Sequence, residues 1–120
     1  MVAEVMTSVT YTCRRGADFI LGFRDKNDNL TGDETVRASL KPIGPNKSVP
    51  DDDVDSAADF TASFVEPEGE LPYWRLALTA LQTASLSRRR YLFDVRIELA
   101  GGDVLRTDPV IVDVENRVTA

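Results

Sequence analysis

From Tyr91 to Leu99 the chain alternates without a fault, with Tyr91, Phe93, Val95, Ile97 and Leu99 on one side and Leu92, Asp94, Arg96 and Glu98 on the other. Successive side chains of a strand point to opposite faces, so a period of two sorts these residues onto two sides of a sheet. Wound as a helix, the same residues would scatter their apolar groups around the cylinder. Burying the five side chains of the first set is worth on the order of 10 kcal/mol, at about 2 kcal/mol each, before the entropy of ordering is subtracted. This one segment commits the chain to a sheet with a covered face.

The alternation recurs. Thr7, Val9, Tyr11 and Cys13 share a side from Thr7 to Cys13, and Arg14-Arg15-Gly16 turns the chain. Asp18 to Arg24 brings Phe19, Leu21 and Phe23 together before the polar run Asp25-Lys26-Asn27-Asp28-Asn29. Thr35 to Lys41 faces Val36, Ala38 and Leu40 inward, Asp59 to Glu66 does the same with Phe60, Ala62 and Phe64, and Tyr73 to Leu78 with Trp74, Leu76 and Leu78. Glu66-Pro67-Glu68-Gly69 and Ala100-Gly101-Gly102-Asp103 are turn sequences. The last strand is expected from Val104 to Glu115, with an edge or a bulge at Pro109, whose ring nitrogen cannot donate to a ladder. Between Pro42 and Ala58 no period survives, and a long irregular connection is expected there.

The period changes once more, at Thr79-Ala80-Leu81-Gln82. A threonine hydroxyl there accepts from the amide three residues on while the glutamine reaches back, which predicts a short helical turn from Thr79 to Leu86. About seven short strands and one helical crossover in 120 residues describe a single all-β domain over 1–120, an immunoglobulin-like β-sandwich. Tyr91, opening a strand just after the crossover, stands where such sandwiches carry a tyrosine that bonds back to the corner backbone.

Chemistry is constrained mainly by what the composition lacks. There is no histidine, which removes the usual general base near neutral pH, the Ser-His-Asp and Cys-His arrangements, and most zinc sites. The expectation is a protein that is not an enzyme and holds no cofactor or metal. Cys13 is the single cysteine, so no disulfide forms within the chain and a small core residue is expected. The formal charge of −6 repels phosphate backbones, which argues against nucleic acid as a partner. No stretch approaches the roughly 20 apolar residues of a membrane helix, and Glu4 stands where a secretion signal carries basic charge, so synthesis and retention in the cytoplasm are expected.

Two acidic runs invite a calcium reading. Asp25-Lys26-Asn27-Asp28-Asn29 begins like an EF-hand loop but has Leu30 where glycine is needed and Val36 where glutamate is needed. Asp51, Asp52, Asp53 and Asp55 have no glycine or fixed spacing to shape a site and read as a solvated acidic loop. Arg88, Arg89 and Arg90 form the one basic run, and without neighbouring aromatics they make a poor nucleic-acid platform. The expected role is a protein-protein contact, with the acids of Asp51 to Asp55 on a neighbouring copy as one complementary surface.

Three stretches together resemble a known family. They are Thr10-Tyr11-Thr12-Cys13-Arg14-Arg15-Gly16-Ala17-Asp18-Phe19, Leu30-Thr31-Gly32 followed by Val36-Arg37-Ala38, and Leu76-Ala77-Leu78-Thr79 through Thr83 and Leu86 to Tyr91-Leu92-Phe93-Asp94-Val95. They resemble small structural proteins of tailed phages and prophages, whose domain looks like the immunoglobulin-like N-terminal domain of the phage baseplate upper protein. Arg88-Arg89-Arg90 departs from that pattern, where a proline or glycine turn precedes the tyrosine. The resemblance implies a virion component of tail or baseplate type, made in the bacterial host cytoplasm, that docks through sheet edges and loops onto other virion proteins or copies of itself. The alternative is a stand-alone binding domain that recognises a glycan or a surface protein through the 42–58 connection and its neighbours.

Overall fold

The computed structural model describes residues 10–23, 30–44 and 55–116. Its elements run β1 (Tyr11–Arg14), β2 (Phe19–Phe23), β3 (Thr35–Pro42), β4 (Ala58–Asp59), β5 (Thr61–Val65), β6 (Tyr73–Leu78), α1 (Ala80–Ala84), β7 (Arg90–Phe93), β8 (Val95–Glu98), β9 (Val104–Arg106) and β10 (Val110–Glu115). The larger sheet has the order β1-β10-β7-β3-β8-β9, with β4 on β3, and the smaller has the order β2-β6-β5.

Several of these segments are halves of longer strands. Strand β3 keeps one register against both β7 (Lys41 opposite Leu92) and β8 (Ala38 opposite Val95), so residues 90–98 form a single run that opens at Asp94. Likewise β9 and β10 are one run parted at Thr107, where the Thr107 amide donates to the Val95 carbonyl (3.1 Å) and its hydroxyl accepts from the Val95 amide (2.9 Å). The first strand lies parallel to the last, Tyr11 beside Val112. Strands β2, β5 and β6 form the opposite layer. This strand order makes the domain an immunoglobulin-like β-sandwich.

Alternation packs the space between the sheets. Phe23, Leu40, Leu76, Leu78, Phe93, Val95, Ile97, Val110, Val112 and Val114 are almost wholly buried, and Trp74 and Tyr91 join them. In antibody domains a cysteine two residues beyond the corner tyrosine bridges the sheets. Here that position is Phe93, whose ring lies 4.9 Å from Phe60, itself 6.3 Å from Phe19. Tilted aromatic contacts at these distances hold the two layers together without a covalent bond. Cys13 is buried on β1, as a core residue.

The crossover is built as its sequence spells it. The Thr79 hydroxyl accepts from the Gln82 amide (3.2 Å) and the Gln82 side chain accepts from the Thr79 amide (2.9 Å), a complete capping box. Buried Thr83 then ties the helix to the β1–β2 turn, its hydroxyl donating to the Ala17 carbonyl (2.8 Å) and accepting from the Gly16 amide (3.0 Å). Beyond it, the Tyr91 hydroxyl donates to the Ser87 carbonyl at 3.0 Å, the corner bond expected of this position.

Four expectations need correction. Helix α1 stops at Ala84, because the Ser85 and Leu86 amides turn to carbonyls three residues back, which tightens the end of the helix. The 42–58 connection is shorter than its sequence suggested, since Pro42 closes β3 and Ala58 already pairs with Leu40. The strand expected from Asp59 to Glu66 breaks at Phe60, whose amide donates to the Ala38 carbonyl (2.9 Å) as the chain leaves the larger sheet for the smaller. Pro109 does interrupt the last strand, but β10 is paired on both sides, and only the short outer half, β9, is an edge. The calcium-like run at 25–29, the strand start at 7–9 and Asp51, Asp52 and Asp53 lie outside the described residues.

Candidate functional site

A sandwich with a filled core has to act through its outer faces, edges and loops. The outer face of the larger sheet carries the densest unmatched charge. In register across three strands, Arg37 of β3 stands opposite Arg96 of β8, and Arg96 opposite Arg106 of β9. Cross-strand neighbours on one face have Cβ atoms roughly 5 Å apart, where like charges repel. The row is therefore a feature that stability alone disfavours.

Acidic neighbours offset part of the repulsion. Asp94 and Glu98 lie two residues to either side of Arg96 on the same face. Arg106 reaches Asp94 at 3.5 Å and Arg96 reaches Glu98 at 3.4 Å, long single contacts between partly exposed groups. Exposed pairs of this kind contribute about 0–1 kcal/mol. Among the described residues neither Arg37 nor Lys41 has an acidic partner within ion-pair distance.

Beside the row the strand run opens at Asp94, and a shallow groove of about 490 Å³ forms there. Arg37, Lys41, Arg96 and Arg106 line it, together with Asp94 and Ser56. Its floor includes Leu92, which the alternation turns toward the outer face but which is only 7% exposed, between Lys41 and Ile111 in register. The site can hold carboxylates or another anion through forked guanidinium hydrogen bonds.

The arginines singled out in the sequence have a different setting. Arg90 grips Asp113 with two hydrogen bonds, 2.8 and 3.3 Å, which hold its guanidinium above its ordinary pKa. Arg88 pairs with Glu115 at 3.2 Å, and Arg89 is exposed with its guanidinium 3.4 Å from the Ile43 carbonyl. Two of the three thus have acids of β10 as partners within the chain. Asp55 is exposed and immediately precedes Ser56 at the groove wall.

Two functional features escape a reading by runs. The arginine row is spread over residues 37, 96 and 106 and becomes visible only once three strands are paired. Glu34 is the other: it is buried, and its carboxylate accepts from Trp74 Nε1 (3.0 Å), the Thr31 hydroxyl (2.7 Å) and amide (3.0 Å), and the Gly32 amide (3.3 Å). Burial pushes this carboxyl up, but the donors outweigh it and its pKa is lowered. It anchors the loop that feeds β3, the strand that starts the arginine row.

No family model matches the chain. No curated protein matches it either. Among solved structures, a chain from a structure of murine CRIg is similar, at 14% identity over 97% of each chain with a TM-score of 0.42. The fold assignment rests on the strand order and the Tyr91 corner.

Proposed function

We propose that this domain is a non-enzymatic assembly module of a phage or prophage virion, of tail or baseplate type, and that it docks through the outer face of its larger sheet. The observation that carries the docking reading is the row Arg37-Arg96-Arg106, three guanidiniums in register on an open sheet face with incomplete internal neutralisation. A face of mixed sign, with Asp94 and Glu98 set beside the cations, suits a protein surface of complementary pattern and steers its approach. The virion reading draws on the resemblance carried by the crossover from Leu76 to Val95. Its partners would be other virion proteins or further copies of the chain.

The experiment is direct. Particles banded from an induced culture of the bacterium that carries the gene are analysed by quantitative mass spectrometry. The chain is expected in them at a fixed ratio to the other structural proteins. Its absence from intact particles would sink the virion reading.

A further inference from the structure

The geometry points to an acidic helix of a partner protein as the occupant of this face, lying across β3, β8 and β9 with its carboxylates along the arginine row. The inference adds a partner chemistry to the docking surface and does not depend on the partner being a virion protein. Spacing is the first argument. Strands lie about 4.8 Å apart, so Arg37, Arg96 and Arg106 span two intervals, about 9.6 Å. Residues i, i+4 and i+7 of a helix share a face and span about 10.5 Å at 1.5 Å per residue, a match within roughly 1 Å. An extended segment repeats on one face every ~6.8 Å, so three of its side chains would overrun the row by about 4 Å.

Charge is the second. Asp94 and Glu98 flank the central arginine on either side, so a broad polyanion such as nucleic acid or a sulfated glycan meets two carboxylates with every guanidinium it gains. A single ridge of acids avoids both. The unmatched cations, Arg37 and Lys41, lie at the β3 side of the groove, where the ridge would find charge with no internal competitor. Arginine forks suit carboxylates in two-bond geometry, which fixes the helix direction as well as its position.

The probe is a capped 18-residue peptide of high helix propensity with glutamates at i, i+4, i+7 and i+11. A second peptide of identical composition has its glutamates dispersed around the helix. Binding to the whole chain is followed by fluorescence anisotropy at low salt. The aligned peptide is expected to bind at least tenfold more tightly than the dispersed one. The Arg37→Gln/Arg96→Gln/Arg106→Gln variant should lose at least tenfold, while Arg75→Gln, the same charge change on the smaller sheet, should leave affinity unchanged. Equal binding of the two peptides, tighter binding of a heparin oligosaccharide, or an unaltered triple variant would overturn the inference. Arg37→Gln alone, on an exposed side chain without an internal ion pair, provides the same test should the triple variant unfold. Peptide binding by a chain missing from particles would leave this inference standing and remove only the virion reading. The reverse result would do the opposite.

Discussion

Arg37 and Arg96 stand directly opposite each other on β3 and β8, both on the outer face and both positively charged. A cross-strand pair of like charges costs stability, of the order of 0.2–1 kcal/mol. A fold under selection for stability alone would place an acid at one of these positions.

The first prediction follows from that cost. Arg37→Glu should stabilise the domain by about 0.2–1 kcal/mol, by turning a repulsive pair into an attractive one. Urea denaturation would show the midpoint moving up with the slope unchanged. The same variant should bind acidic partners more weakly, so stability and docking move in opposite directions. A destabilised Arg37→Glu would mean that the row is not under strain.

Glu34 carries the second. Replacing it with alanine removes the acceptor that Trp74, Thr31 and Gly32 share, leaving buried donors unmatched, at a cost of about 1–3 kcal/mol. Its folded pKa is lowered. The stabilisation it provides is therefore complete above the unfolded value, about 4.3, and drains away as pH falls through the lower folded value. The stability difference between wild type and Glu34→Gln should be constant from pH 7 to about 5 and shrink in more acidic solution. A gap that widened on acidification would reverse the assigned sign.

The crossover gives a third. Tyr91→Phe keeps the ring in the core and deletes the bond to the Ser87 carbonyl, for a loss of about 1 kcal/mol. Thr79→Ala removes the helix cap at a similar cost of about 1 kcal/mol. Calorimetry should find both melting transitions lowered by several degrees. No change in either would show that the corner is held by packing alone.

The fourth concerns Cys13. Burial pushes its thiol up to about 11, so thiolate is scarce at neutral pH, and the sulfur lies out of contact with water. Maleimide labelling at pH 7.5 should be very slow in buffer and complete in denaturant. Rapid labelling of the native chain would contradict a core position on β1.

Much of this architecture is legible in the residues themselves. Alternation around Val36, Trp74 and Phe93 marks inward faces because a pleated strand has no other way to separate apolar from polar groups. Thr79 and Gln82 spell their own cap because the interaction is local. What could not be read is whatever depends on pairing between distant segments. The parallel contact of β1 with β10 joins residues about a hundred positions apart, and the step at Phe60 from one sheet to the other is a single residue within an alternating run. The site fails to show for the same reason. Adjacent arginines at 88–90 are conspicuous in the sequence, yet two of them pair with Asp113 and Glu115 on the folded surface. Arg37, Arg96 and Arg106 are isolated along the chain and become neighbours only through strand register.

The central claim is that this row is a docking surface for carboxylates, and side-chain NMR tests it most directly. The Nε–H signals of the arginines are followed while the aligned acidic peptide is added. The account predicts shifts concentrated on Arg37, Arg96 and Arg106, with Arg75 and Arg90 unmoved. Shifts spread evenly over all arginines, or centred on Arg88 and Arg89, would contradict it.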